Sequence, residues 1–243
     1  MRDLGIQEFK VGDRAACSGS GYASHAEYNV VPPNLCVKMP DNVSFEDASY
    51  VALGGIAMKA VRLARVELGY KVRVIGLELL GQLVLQIVRA AGCHVIGVDI
   101  SEEKCKFALE HGAEAVAVTG KDDPIAIARD FSAYEGLDAV IILAFLSSDE
   151  SLIQAAEMCR ERGRIIAGGL AGLNIPRDIF YKKELEFTVS RASGPGMYDP
   201  DYEERNMKYP FPYVRWTAQR NMEEFLRMVS IGSVRIEKLS THK

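Results

Sequence analysis

The chain has 243 residues, 48% of them hydrophobic and 26% charged, with a formal net charge of −4. That is an ordinary globular composition with room for one large domain, or one domain plus parts of a second. Basic residues form no long cluster, which excludes the electrostatic footprint of a nucleic-acid binder. The longest apolar stretch is broken by Glu78, Gln82, Gln86 and Arg89, well short of a membrane span. The five cysteines, Cys17, Cys36, Cys93, Cys105 and Cys159, are scattered and odd in number. That argues against a disulfide framework and fits a reducing compartment. With no apolar leader in the opening residues, the sequence reads as cytoplasmic.

Residues 1–40 hold short alternating segments, residues 23–31 among them, punctuated by Gly12-Asp13, Gly19 to Gly21 and Pro32-Pro33. They read as β-strands and turns. Ser44, with Asp47 three positions on, predicts an N-cap and a helix opening at about Phe45. Gly54-Gly55 is expected to interrupt it, with a second helical stretch from Ile56 to about Ala64. From Lys71 strand and helix patterns alternate. Strands are predicted at 71–76, 94–99, 115–118, 137–143 and 163–168, and helices at 79–91, 102–111, 123–132 and 149–161. Strands apolar throughout and separated by helices predict a parallel sheet covered on both faces. Right-handed crossovers make it doubly wound. A further strand-like segment runs from Leu185 to Arg191, after a loop containing Pro176. Residues 193–212 read as irregular, followed by an amphipathic helix from about Thr217 to Val229 and a short strand over 233–239. The predicted division is 1–43, linker helices 44–68, the α/β domain 69–192, and a tail 193–243.

The chemistry centres on residues 71–99. A strand meets Gly76, a helix follows, and a second strand ends on Asp99. This is the βαβ unit that grips an adenine dinucleotide. The fingerprint G-x-G-x-x-G reads here Gly76-Leu77-Glu78-Leu79-Leu80-Gly81. Gly76 permits the tight turn, and Gly81 permits close packing of helix on strand. The middle glycine normally lets the backbone approach the pyrophosphate, and Glu78 puts a negative charge there. Two like charges ~4 Å apart repel by roughly 1–4 kcal/mol, or about one to three powers of ten in affinity. The helix N-terminus, through Leu79, Leu80 and Gly81, still presents amides to an anion. Asp99 lies 99 − 76 = 23 residues past the first glycine, close to the ~20 expected of the carboxylate that accepts ribose hydroxyls. An acid there repels a 2′-phosphate and favours NAD over NADP. The plainer role for Asp99 is to cap the helix starting near Glu102. A methyltransferase also places an acid after its second strand, but it uses close-packed glycines that this turn lacks.

Several runs of residues resemble one family. They are Gly12-Asp13-Arg14, Gly21-Tyr22-Ala23 with His25-Ala26-Glu27-Tyr28, Lys38-Met39-Pro40-Asp41, and Ser44-Phe45-Glu46-Asp47-Ala48. Together they are similar to the medium-chain dehydrogenase/reductases (zinc-type alcohol, sorbitol and threonine dehydrogenases). The tail, Ser193-Gly194-Pro195-Gly196-Met197-Tyr198-Asp199 with Tyr213-Val214-Arg215-Trp216 and Gln219-Arg220-Asn221-Met222, resembles a bacterial subgroup. In that subgroup the module is fused to a second oxidoreductase and associated with sugar metabolism. The resemblance implies a Rossmann fold joined to remnant β-segments of a GroES-like catalytic domain, the rest of which this sequence lacks. It implies hydride transfer between nicotinamide and an alcohol or carbonyl. It also implies roles for Ile100 beside the adenine, Lys104 near the adenosine ribose, and Ala144-Phe145 and Gly168-Gly169 bordering the nicotinamide half. The edge strand from Leu185 to Arg191 is implied as the pairing surface of a homodimer. The family's zinc ligands have no counterpart here, and Leu53-Gly54-Gly55 offers no ligating side chain, so no zinc is expected.

Other polar groups have plainer readings. His25 and Glu27 form H-x-E without the following Pro-Cys-x-x-Cys of zinc deaminases, which leaves a strand-surface pair. Cys93-His94 begins a buried strand. His111, before Gly112, suits a helix C-terminus. Tyr22, Arg191 and Tyr198 can face a substrate cleft, with packing as the plainer role, and Glu157, Arg160, Glu161 and Arg162 read as a solvated helix end. Two readings of function remain: an NAD(H)-dependent oxidoreductase, or a non-catalytic Rossmann module kept for dimerisation or weak nucleotide binding.

Overall fold

The computed structural model describes residues 9–144, 148–170, 172–237 and 239. They fall into two compact units, one within Met1–Lys59 and Arg191–Lys243, the other within Ala60–Ser190. In the first unit β1 (Ala15–Cys17) pairs antiparallel with β2 (Cys36–Lys38). Residues 23–31, expected to alternate as a strand, instead make bends, with Tyr28 and Val30 fully in solvent. The reason is local: Asn29 closes the segment on itself. It accepts from the Ser24 amide at 3.0 Å and donates to the Ser24 and Ala26 carbonyls, an alternative to a ladder that Asn side chains offer. His25 and Glu27 therefore sit on exposed bends rather than a strand. Helix α1 (Phe45–Ala48) starts at the predicted cap, with Ser44 Oγ accepting from the Asp47 amide at 2.9 Å.

Helix α2 (Val51–Leu63) runs straight through Gly54-Gly55, which do not interrupt it. A glycine keeps its helical hydrogen bonds and costs only about 1 kcal/mol relative to alanine. Here the missing side chains have a use, shown below.

From Lys71 the second unit alternates strand and helix. The order is β3 (Lys71–Ile75), α3 (Leu79–Ala90), β4 (His94–Asp99), α4 (Glu102–Glu110), β5 (Ala115–Val118), α5 (Pro124–Phe131), β6 (Leu137–Ile142), α6 (Glu150–Met158), β7 (Cys159–Ala167), α7 (Arg177–Lys183) and β8 (Glu186–Val189). The strands form one six-stranded sheet in the order β5-β4-β3-β6-β7-β8, parallel at every pair. This is the doubly wound α/β fold predicted above. The central strands are buried on both faces, which is why their sequences run apolar rather than alternating. Short polar side chains start the helices: Ser101 caps α4, and Asp123 accepts from the Ile125 and Ala126 amides ahead of α5, as expected of N-caps. His111 caps the C-terminus of α4, its Nδ1 2.8 Å from the Phe107 carbonyl.

Three features depart from the predicted pattern. Helix α6 stops at Met158 and β7 begins at Cys159 with no connecting residue, instead of a helix to 161 and a strand from 163. The pairing passes from Leu137↔Cys159 to Ala139↔Arg164, two steps along β6 against five along β7, with Arg162 at φ +58. This is a bulge. Arg160 to Arg162 therefore belong to the strand rather than a solvated helix end. Arg160 Nε donates to Asp138 at 2.7 Å, and Arg162 pairs with Glu184. The α6 terminus is closed by Lys183, whose ammonium donates to the carbonyls of Ala156, Glu157 and Cys159 at 2.7–2.9 Å. Second, α7 forms where a loop was expected. Third, β8 is shorter than the segment from Leu185 to Arg191, but it does form the sheet edge.

The C-terminal part of the first unit holds α8 (Pro200–Glu203), inside a stretch expected to be irregular, and α9 (Ala218–Ser230), capped by Thr217. The described residues of 233–239 make turns in place of the expected strand, and Lys238 lies outside the described residues. Two short strands make a small core, so buried amides bind the unit. Asn34 donates to the Tyr202 and Met207 carbonyls, Gln219 to those of Pro33 and Cys36, and Asn221 to that of Ser193. A Cβ on Gly54 would lie 2.2 Å from the Phe225 ring of α9, and one on Gly55 2.9 Å from Ser193 Cβ. The glycine pair is the socket for α9. Gly54→Ala is therefore expected to destabilise the protein by about 1–3 kcal/mol in urea titration, opposite in sign to the same change on an exposed helix.

The central strand β3 carries a fully buried arginine. Arg73 Nη1 donates to the Pro124 carbonyl at 2.5 Å and lies 2.6 Å from Met158 Sδ, while Nε and Nη2 have no partner. Burial pulls its pKa down, the Asp123 charge pulling weakly the other way. Replacing a buried, poorly partnered charge with an apolar side chain of similar length is often neutral or stabilising. Arg73→Met is expected to raise the urea midpoint or leave it unchanged; a fall of more than about 1 kcal/mol would show the guanidinium to be a net support.

Candidate functional site

In the order β5-β4-β3-β6-β7-β8 the chain winds outward from β3 to β5, then returns to place β6 on the other side of β3. Crevices at such a reversal, beyond the carboxyl ends of the strands, are where open α/β sheets bind ligands. A cavity of about 280 Å³ lies there. Its floor is apolar, from Ile75, Val98 and Leu143, and its rim carries Glu78, Asp99, Lys104 and Thr119.

The turn out of β3 is built by two glycines. Gly76 has φ +90, and a Cβ on it would lie 2.7 Å from the Ala144 amide nitrogen. A Cβ on Gly81 would lie 1.9 Å from the Gly76 carbonyl oxygen. Neither position admits a side chain. The middle position differs: Glu78 has φ −61 and ψ 179 and makes no capping hydrogen bond. The backbone there has an ordinary extended conformation, so nothing within the turn itself requires glycine.

Asp99 is buried at 8% exposure. One oxygen accepts from the Leu77 amide at 2.7 Å, the other from the Ser101 amide at 2.9 Å. It does not cap α4; Ser101 Oγ does that, accepting from the Lys104 amide. Asp99 instead bridges the turn after β3 and the turn after β4. Gln82 adds a second tie, donating to the Leu77 carbonyl at 3.0 Å and the Lys104 carbonyl at 3.1 Å. Gly97 makes room for Leu77, since a Cβ there would meet Leu77 Cδ1 at 2.9 Å. Lys104 reaches across the rim to an ion pair with the Glu78 carboxylate. That hydrogen bond is the main cause holding the Lys104 pKa above its ordinary value. The charge at the middle position is thus turned aside and partly neutralised.

Of the residues singled out from sequence, the structure brings Gly76, Glu78, Asp99, Ile100, Lys104 and Ala144 to this one cavity. Leu79, Leu80 and Gly81 lie behind it in the first turn of α3, where the first amides have no partner within the helix. Gly168 and Gly169 follow β7 and do not line the cavity. Both donate to the Ile142 carbonyl, and a Cβ on Gly169 would lie 2.5 Å from the Ala144 carbonyl oxygen. Phe145 lies outside the described residues. Sequence reasoning missed Thr119 and the opening of α6, where Ser148, Glu150, Ser151 and Gln154 complete the wall. The available signal was positional: Thr119 follows the third strand of the unit, as Asp99 ends the second. Among the described residues no cluster of three or more His, Cys, Asp or Glu could hold a metal ion, and no helix is long and apolar enough to cross a membrane.

Fold and turn define a Rossmann-type domain of the dehydrogenase class. A family model described as zinc-binding dehydrogenase matches residues 80–206, just over half of the chain, and the chain belongs to that alcohol dehydrogenase-like family. It is 30% identical over 205 residues to an alcohol dehydrogenase of Geobacillus stearothermophilus, an alignment covering 72% of this chain and 59% of that protein. The chain therefore spans under two thirds of the length of the curated relative it matches. Among solved structures it resembles alcohol dehydrogenase TADH from Thermus sp. ATN1, with a TM-score of 0.69 and 20% identity over 85% of this chain and 55% of that one. It also resembles galactitol-1-phosphate dehydrogenase from Escherichia coli, with a TM-score of 0.71 and 19% identity over 88% of this chain and 58% of that one. At these identities the structural likeness speaks for the fold.

The double role of Asp99 sets a stability prediction. Asp99→Asn leaves one acceptor for two amides, that of Leu77 buried and that of Ser101 part-buried, and a loss of about 1–3 kcal/mol is expected in urea titration. Glu78→Gly, which removes no capping bond, is expected to change stability by less than about 0.5 kcal/mol.

Proposed function

We propose that the α/β unit binds NAD(H) through its adenosine half, and that the chain contributes it to an oxidoreductase interconverting an alcohol and a carbonyl, on a sugar-like substrate. Asp99 carries this reading. It is a buried carboxylate at the end of β4, fixed by two amides on the protein side and lining the cavity at the sheet's reversal. A carboxylate has lone pairs to spare beyond two amides, so Asp99 can accept from the two hydroxyls of a ribose and disfavours a 2′-phosphate. In this reading Ile100 flanks the adenine and the Leu79, Leu80 and Gly81 amides face the pyrophosphate. Ala144 and the Gly168-Gly169 turn border the nicotinamide side. The cofactor, when bound, donates or accepts the hydride. The cytoplasmic setting and pairing of two copies through the β8 edge belong to the same proposal.

The Glu78–Lys104 ion pair favours the second reading, a Rossmann module that binds nucleotide weakly or pairs without catalysis. It occupies the rim that a pyrophosphate must approach. Calorimetric titration of NADH into the wild type, Glu78→Gly and Asp99→Asn separates the two. The expected result is measurable binding by the wild type, tightened roughly 10- to 1000-fold in Glu78→Gly and weakened in Asp99→Asn. Binding by Glu78→Gly alone would support the second reading. No binding by either would overturn the cofactor proposal.

A further inference from the structure

Cys17 and Cys36 are 19 positions apart in sequence, yet their sulfurs lie 3.4 Å apart in the first unit. They face each other across the β1–β2 ladder, Cys17↔Cys36 in register. The hydrogen bonds of that ladder fix what kind of pair this is. The Ser18 amide donates to the Leu35 carbonyl and the Met39 amide to the Arg14 carbonyl. In an antiparallel ladder bonded and unbonded pairs alternate. Residues 14, 16 and 18 therefore sit in hydrogen-bonded pairs, and Cys17↔Cys36 is a non-hydrogen-bonded one. In such pairs the Cα atoms stand about 4.5 Å apart and the side chains are closest, inside the range that a disulfide spans. Closing the bond needs the two sulfurs to approach, with no shift of register.

The two thiols are also unequal. Cys17 is half-buried and Cys36 buried. The Cys36 thiol donates to the Pro32 carbonyl at 3.4 Å and shares a hydrogen bond with the Cys17 sulfur in which either sulfur can be the donor. That contact draws Cys17 down to about 7 and pushes Cys36 up. One sulfur is accessible and activated; the other is held beside it. Cys93, Cys105 and Cys159 are buried and pushed up by burial, Cys159 to about 12, so they offer little thiolate.

We infer that Cys17 and Cys36 form a thiol–disulfide exchange site that takes small-molecule disulfides of the glutathione type. The Cys17 thiolate attacks one sulfur of the oxidant, forming a mixed disulfide and releasing one thiol. The Cys36 sulfur, losing its proton, then attacks Cys17, forming the Cys17–Cys36 bond and releasing the second thiol. Two protein thiols are oxidised and one disulfide reduced to two thiols. The bond closes the loop of residues 18–35, whose far end is anchored through the Cys36 carbonyl to Gln219 of α9. This inference is independent of the nucleotide cleft.

The test is incubation of the folded chain with oxidised glutathione, followed by acid quench, intact mass and peptide mapping. The expected wild-type product has lost two hydrogens, carries a Cys17–Cys36 link, and reverts in excess reduced glutathione. Cys36→Ser is expected to stop at one glutathione on Cys17, and Cys17→Ser to take up none while folded. A wild type that stays fully reduced, keeps glutathione on Cys17, or links another cysteine would overturn the inference. The wild-type mass alone decides this if either variant fails to fold.

Discussion

Both oxygens of Asp99 are committed to the protein. One holds the amide of Leu77 after β3 and the other the amide of Ser101 after β4. The turn of the cleft therefore hangs on a carboxylate 22 positions downstream of Leu77. A parallel sheet leaves the amides beyond its strand ends unpaired, and a buried unpaired amide is costly. Asp99 pairs the buried Leu77 amide and the part-buried Ser101 amide at once, with Gln82 adding a brace between the Leu77 and Lys104 carbonyls. The same placement that stabilises the turn leaves a fixed negative group on the cavity wall. Structural support and ligand recognition are in this way not separable at Asp99, whereas they are at Glu78, whose side chain makes no capping bond in the turn and pairs with Lys104 on the rim.

Much of the α/β unit was legible because its signals are local. Apolar strands, a glycine turn and Ser or Asp caps lie within a few residues of what they control. What the sequence could not show are partners remote in the chain. Glu78 reads as an open charge until Lys104, 26 positions away, is seen to reach it. Gly54-Gly55 reads as a break until Phe225 is seen to fill the space above it. The segment 23–31 alternates well, but alternation makes a strand only where a neighbour offers a ladder, and Asn29 offers the backbone something nearer. Cys17 and Cys36 look unrelated until the ladder register aligns them.

The first unit shows how a small core is held by other means. Its strands have three residues each, too few to bury much surface. Three buried carboxamides, Asn34, Gln219 and Asn221, bind backbone carbonyls across it. Such bonds are directional, so they specify one arrangement of α9 over β2 where apolar contact alone tolerates several.

The junction of α6 and β7 has a consequence for how this chain can vary. No residue separates Met158 from Cys159, and the ammonium of Lys183 is bound to three carbonyls around that point. An insertion there would pull the lysine from its carbonyls and shift the bulge against β6. A change of length is thus disfavoured at this junction. The opposite end of the sheet carries the turns after β3, β4 and β5, which supply Gly76, Ile100 and Thr119 to the cavity. A change of length in those turns therefore alters the wall of the cleft and what it accepts.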